Sequence, residues 1–195
     1  FNYPLTWEEI KMFLDKDWEE DQINFSLQEL LIEKCIYKLH NQYYSLKNDN
    51  SIVLKRIKGN EKAASLLTIA HRVSAFLFRL PYVRGIGISG SLSKKYADEN
   101  TDIDYFIITR SNRLWIARTL MHLFKKFTFL TGHQHWYCMN YYIDEQALTI
   151  EEKNYYTAIE IITLLPAMGN NCLTNFFEAN AWVKNYFPKY PFLAS

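Results

Sequence analysis

Gly90-Ser91-Leu92-Ser93-Lys94-Lys95-Tyr96-Ala97-Asp98-Glu99-Asn100-Thr101-Asp102-Ile103-Asp104-Tyr105-Phe106-Ile107-Ile108 reads as Gly-Ser, ten residues, then Asp-x-Asp running into an apolar segment. Ahead of it, Val83-Arg84-Gly85-Ile86-Gly87-Ile88-Ser89 has Ile86 and Ile88 on one face and the glycines on the other, which predicts a strand ending at Gly90. Behind it, Ile103, Phe106, Ile107 and Ile108 predict a second strand. Side chains on a strand repeat every two residues, so Asp102 and Asp104 are expected on one face, converging on one point. A hard, oxygen-seeking cation such as Mg²⁺ or Mn²⁺ needs such a carboxylate pair.

The Gly-Ser half supplies the opposite chemistry. Gly90 permits a sharp turn and a close backbone approach to a ligand. Ser91 offers a hydroxyl and backbone N–H groups at the start of a short helix predicted over Leu92 to Tyr96, where an anion is favoured. Lys94 lies in the same segment and is counted with Gly90 and Ser91 as a phosphate-side residue. Phosphate donors on one side and a cation-binding pair on the other are two halves of a nucleotide site.

Gly-Ser-x10-Asp-x-Asp between two strands resembles the signature of the nucleotidyltransferase superfamily, with its DNA polymerase beta-like fold. The resemblance covers residues 81–148. It implies a metal on Asp102 and Asp104, which are then also the catalytic pair, and a nucleoside triphosphate as donor, held by Gly90, Ser91 and Lys94. It also implies transfer of a nucleoside monophosphate to a hydroxyl acceptor, which the sequence does not identify. Members typically carry a third carboxylate on the strand after the intervening helix, acting on that hydroxyl. Here Asn140 takes the slot, and no acid lies between His135 and Ile143. An amide carries no charge and cannot serve as a base. Asp144 and Glu145 follow just past the expected strand end. The alternative expectation is therefore a nucleotide-binding regulatory module without turnover.

The fold class expected is α+β: a mixed sheet packed against helices, with an N-terminal partial winged helix-turn-helix and C-terminal helices. Four segments are expected: 1–50, partial winged helix; 51–80, connecting helix; 81–148, nucleotidyltransferase-like core; 149–195, C-terminal helices. In the first, Thr6-Trp7-Glu8-Glu9 and Ser26-Leu27-Gln28-Glu29 read as capping boxes, with a loop over Asp15 to Asp21 and a hairpin turning near His40-Asn41-Gln42. Lys47 to Ser51 reads as a hinge and Lys55 to Leu80 as a long helix ended by Pro81. Asn112 is expected to cap a helix over Arg113 to Leu130 with Leu114, Trp115, Ala117, Leu120, Met121 and Phe124 buried. Arg110, Arg113 and Arg118 near its beginning are candidates for contacting phosphates or balancing the aspartates; Arg110 and Arg118 join the expected nucleotide-binding set. Trp136 to Ile143 reads as the third strand, and His133-Gln134-His135 as a weak metal pair without a third ligand. Thr149-x-x-Glu152 is expected to cap a helix closed by Pro166, and Asn170 to begin another running through Trp182 and Tyr186. Glu160 stands alone in an apolar pattern, which predicts pairing with a core arginine or a role as a remote acid.

Charge sharpens these expectations. The net charge of +1 conceals −5 over residues 1–50, +9 over 51–135 and −3 over the remainder. Positive charge thus surrounds the motif, as a polyphosphate ligand requires. The acidic N-terminal segment disfavours DNA binding, which needs Lys and Arg against phosphates, and suits a protein partner. With 49% hydrophobic residues the chain can bury a core, yet no run approaches a membrane span. Cys35, Cys138 and Cys172 lack disulfide or metal spacing, so a reduced, cytoplasmic protein without a leader is expected. Phe1 at the start predicts native sequence upstream. Leu114-Trp115, the segment Asn140 to Leu148, and Thr157 to Ile161 together resemble an uncharacterised bacterial group of nucleotidyltransferase-like proteins carrying an N-terminal winged helix.

Overall fold

In a computed structural model, residues 3–128 and 138–191 are described. The chain is α+β and divides into two compact units, residues 1–59 with 182–195, and residues 60–181. The boundary falls inside one long helix and not at the polar stretch before it. The expected pair His133 and His135 and the start of the third strand, Trp136 and Tyr137, lie outside the described residues. Among the described residues no helix is long and apolar enough to cross a membrane.

The first unit opens with β1 (Leu5–Thr6) and α1 (Trp7–Met12). The Thr6/Glu9 capping box forms: Thr6 Oγ1 accepts from the Glu9 N–H, and Glu9 Oε2 accepts from the Thr6 N–H at 2.8 Å. The second box does not form where expected. Helix α2 runs from Glu20 to Ile32, capped by Glu19 with Gln22, so Ser26 lies within it. Strands β2 (Tyr37–Leu39) and β3 (Tyr43–Ser45) make the hairpin through a three-residue connection, with positive φ at His40 (46°) and Asn41 (59°) and the Gln42 N–H bonded to the Leu39 carbonyl. β3 lies between β1 and β2, antiparallel to both. Helix α3 (Ser51–Leu77) starts four residues earlier than its apolar pattern predicts, because Asp49 accepts from both the N–H and the hydroxyl of Ser51.

The second unit is built on a mixed four-stranded sheet of order β6-β5-β4-β7. Its strands are β4 (Val83–Ser89), β5 (Asp104–Thr109), β6 (Cys138–Asp144) and β7 (Leu165–Met168). β4 is antiparallel to β5 and β7, whereas β5 and β6 are parallel and joined by the crossover helix α5 (Leu114–Thr128). Between β4 and β5 lies a one-turn helix, α4 (Gly90–Ser93), earlier and shorter than the turn expected over Leu92 to Tyr96. Ile86, Ile88, Tyr105 and Ile107 are buried on one side of the sheet with Ala70, Leu77 and Met121 from the helices. The glycines of β4 serve the other side: a Cβ on Gly87 would lie 2.8 Å from Leu164 Cδ1. That side is closed by α6 (Tyr155–Ile162) and α7 (Asn170–Ala179), with Phe106 and Phe176 in ring contact at 4.7 Å.

Several boundaries correct the sequence reading. Asn112 is not a cap; its φ of 59° is left-handed, its N–H is held by Asp144 Oδ2 at 2.7 Å, and α5 begins at Leu114. The face of α5 that packs inward carries Ala117, Met121 and Phe124, leaving Trp115 72% and Leu120 36% exposed where burial was expected. Asn154 caps α6 in place of Thr149, its Oδ1 accepting from the Thr157 N–H at 2.8 Å. Pro166 does not merely stop a helix. It sits in β7 opposite Gly87, at the sheet edge where a missing N–H is tolerated. α7 ends at Ala179, and a 3-10 turn (Ala181–Asn185) replaces the expected continuous helix.

Candidate functional site

β4 ends where β5 begins, since Ser89 pairs with Asp104 across the antiparallel register. The turn after Ser89 is Gly90, at φ +70°, a left-handed conformation that glycine adopts without strain. A Cβ there would lie 2.4 Å from Asp104 Oδ2, so only glycine lets the carboxylate lie against the turn. Asp102 precedes β5 and is not held by its ladder, a correction to the expectation that both aspartates sit on the strand. The two still act on one another. Burial raises the Asp104 pKa above the usual carboxylate range, the charge of Asp102 raises it further, and Glu160 adds to the effect; the Cys138 thiol and Lys125 oppose it.

β6 brings Asn140 to this point through an irregularity in its register. Pairing passes from Tyr105–Met139 to Phe106–Tyr141, leaving Asn140 as the extra residue of a bulge, a device that re-aims side chains. Asn140 Nδ2 donates to Asp104 Oδ1, and the Cys138 thiol donates to Asn140 Oδ1 at 3.3 Å. These two bonds agree on one orientation of the amide, NH₂ toward the carboxylate. Lys125 Nζ lies 3.7 Å from Cys138 Sγ.

Ser89, Gly90, Asp104 and Asn140 line one side of a cavity of about 420 Å³. Glu152, Tyr156, Thr157 and Glu160 line the other. Glu160 was singled out by sequence with an arginine as its expected partner; the partner is Lys94, whose Nζ reaches Glu160 Oε1 at 2.8 Å and the Gly90 carbonyl at 3.2 Å. Lys94 is therefore in the site, bridging the Gly-Ser turn to α6. Ser91 is exposed immediately beside it.

The arginines go elsewhere. Arg110 follows the far end of β5, six residues from Asp104 and about 20 Å along the strand at the usual rise. Its N–H is held by the Tyr82 carbonyl at 2.7 Å. Arg118 lies over the rings of Trp115 and Tyr142, and Arg113 over Tyr82. Asp144 and Glu145 are also at the far end: Asp144 Oδ2 accepts from the Asn112 N–H, and Glu145 Oε1 from the Ser111 N–H at 3.0 Å. Neither carboxylate comes to Asp104. Glu152 and Glu160 are the acids that do share its cavity. Sequence reasoning passed over Lys125 and read Glu152 as a cap; no local signal marks residues that a crossover helix and a connecting segment deliver to a strand end.

The donor set bears on a metal. Among the described residues, no three His, Cys, Asp or Glu side chains gather into a metal-holding group. Two carboxylates suffice, however, for Mg²⁺, which keeps several waters and is commonly held by one or two carboxylates plus substrate phosphates. The charge of Asp102 acts on Asp104, so these two are the residues that would hold such a cation beside a phosphate ligand. Comparison of the chain with protein-family models, with curated proteins and with solved structures gives no match.

Proposed function

We propose that residues 60–181 form a nucleotidyltransferase-like domain that binds a nucleoside triphosphate with Mg²⁺ or Mn²⁺ and transfers the nucleoside monophosphate to a hydroxyl acceptor. The observation that carries this reading is the contact between the Gly90 turn and Asp104 at the mouth of a cavity, with Asp102 acting on the same carboxylate. Support also comes from Lys94, a cation held on the carbonyl of that turn. The metal, on Asp102 and Asp104, would supply charge neutralisation for the phosphates and polarise the phosphoryl oxygens. Gly90 and Ser91 admit the phosphate chain close to the backbone, and Lys94 offsets its charge. The acceptor oxygen forms its bond to the α-phosphorus as the bond to the pyrophosphate oxygen breaks, in line. The hydroxyl proton passes to Glu160 or to solvent.

Asn140 supports a second reading, a nucleotide-binding module without turnover, because an amide stands where an acid would activate the acceptor. In either case the first unit, with α1, α2, the start of α3 and a small three-stranded sheet, is read as a partial winged helix that contacts a protein and not DNA. Its α2 carries Glu20, Asp21 and Glu29 with no basic residue in the last turn. A single experiment tests the assignment. The chain is incubated with Mg²⁺ or Mn²⁺ and each α-labelled nucleoside triphosphate in lysate, beside an Asp102→Ala/Asp104→Ala variant. Transfer lost in the variant supports the enzyme; metal-dependent binding without transfer supports the module; absence of binding overturns both.

A further inference from the structure

The reading above leaves open how many cations the site holds, and Asn140 answers that question. We propose that the site is built for one divalent cation per nucleotide, because the Asn140 amide occupies the face of Asp104 that a second cation would need. This rests on the nucleotide-binding reading and specifies its metal stoichiometry.

Two cations about 3.5–4 Å apart, as in two-metal phosphoryl chemistry, need a carboxylate that bridges them and further acids on the outer side of each. Asp104 is the carboxylate that the Gly90 turn meets, and its two oxygens face different groups. Oδ2 faces the turn, and Oδ1 receives the N–H of Asn140. A donor hydrogen directed at an oxygen presents positive charge where a cation would sit, so Oδ1 cannot serve as the bridge while the amide is there. The amide oxygen faces the Cys138 thiol instead, 3.3 Å from its Sγ.

Among the described residues, Glu152 lines the opposite wall of the cavity, where its Oε1 accepts from Asn154 Nδ2 at 2.9 Å, and the remaining nearby acids are committed elsewhere. The sequence from 105 to 143 contains neither Asp nor Glu, so β6 has none to give. Asp144 and Glu145 are committed to the backbone N–H groups of Asn112 and Ser111 at the opposite strand end. Glu160 shares the cavity but holds Lys94 at 2.8 Å, and a lysine ammonium beside it disfavours a second dication. One cation shared between Asp102, Asp104 and the phosphates is what the remaining charge can hold.

The test counts metal directly. The chain is titrated with Mn²⁺ in the presence of a non-hydrolysable α,β-methylene nucleoside triphosphate, and free Mn²⁺ is followed by electron paramagnetic resonance. The expected result is one Mn²⁺ per chain for the wild type. For Asn140→Asp, which exchanges the donor for a carboxylate of the same shape, a second equivalent is expected within about tenfold of the first in affinity. Two equivalents in the wild type, or one in a folded Asn140→Asp variant, would overturn the proposal. If that variant does not fold, the wild-type count decides, one supporting and two refuting. Zero Mn²⁺ with no nucleotide retention would instead remove the nucleotide-binding reading on which the proposal stands.

Discussion

Gly90 and Asp104 touch through the side chain that glycine lacks: a Cβ at position 90 would be 2.4 Å from Asp104 Oδ2, and the backbone there is left-handed at φ +70°. Gly90→Ala therefore imposes two penalties, a conformation unfavourable for any residue with a Cβ and displacement of the carboxylate. The strain alone should cost about 1–2 kcal/mol of stability. Displacement of Asp104 should weaken Mn²⁺ binding by at least about tenfold, since about 1.4 kcal/mol of lost ligand geometry suffices. Calorimetric titration checks the second effect, and a variant that binds Mn²⁺ normally would show that Asp104 is not a ligand.

Asp104 carries its charge at a cost to the fold. Burial, and then the charge of Asp102, raise its pKa, so the folded state binds the proton more tightly than the unfolded state does. The sign follows: below the ordinary carboxylate range both states are protonated and nothing is lost. As pH rises through the raised value, ionisation of Asp104 reduces stability. Asp104→Asn should thus raise the melting temperature by a few degrees at neutral pH, while keeping an oxygen to accept from Asn140. The gain should vanish at pH 3. Melting curves of both proteins across that range make the comparison, and an equal difference at both ends would mean that ionisation is not its source.

The motif segment was the most legible part of the chain because local rules write it. β4 matches its expected span and the Gly-Ser turn follows it, whereas β5 begins only at Asp104 and the short helix is displaced to Gly90–Ser93. The features that complete the site are tertiary. The bulge at Asn140 depends on pairing with β5, and the Lys94–Glu160 contact joins residues 66 apart. β7 was invisible for a different reason: four residues containing a proline read as a helix stop, and only the exposed edge position lets Pro166 lie in a sheet. Arg110 and Arg118 were drawn to the site by nearness in sequence, but a six-residue strand separates its two ends by most of the sheet. Trp115 misled in the same way, since apolar residues spread around α5 and only one stripe can face the sheet.

In the first unit, Arg56 is 6% exposed and forms a two-armed pair with Glu9, Nη1 to Oε2 and Nη2 to Oε1, each at 2.7 Å. Its guanidinium also lies over the rings of Tyr3 and Tyr43 and donates to the Pro4 carbonyl. Removing one partner of such a pair leaves a charge in a poor environment, so Arg56→Ala should cost about 3–5 kcal/mol. Arg56→Met/Glu9→Leu should recover most of that loss, because apolar replacement of both partners is often neutral. The pair also predicts a pH response. Burial pushes the Glu9 pKa up, but the hydrogen bonds from Arg56 and the Thr6 N–H outweigh it and leave the pKa lowered. Its stabilisation is then full above the ordinary carboxylate range and is lost as pH falls through the lowered value. Urea titrations of wild type and double variant should converge at acid pH; parallel curves would remove Glu9 as the cause.

Asn180 is fully buried and connects the wall of the cavity to α7. Its Nδ2 donates to the carbonyls of Leu148 and Phe176, and its Oδ1 accepts from the Ile150 N–H, all at 2.8 Å. Ile150 and Glu152 belong to the segment that lines the cavity opposite Asp104, so one amide fixes that segment's place on the helix. Asn180→Leu preserves the side-chain size but strands the Ile150 N–H and the Leu148 carbonyl, at about 1–3 kcal/mol for each group left buried and unpaired. The total should be about 3 kcal/mol in a urea titration, because part of the freed backbone can reach water. Hydrogen exchange separates this from a general loss of packing. Amides of residues 148–154 should exchange faster while those of β4 and β5 keep their protection relative to global unfolding. Uniform acceleration across the sheet would mean that Asn180 supports the core as a whole and has no particular hold on the cavity wall.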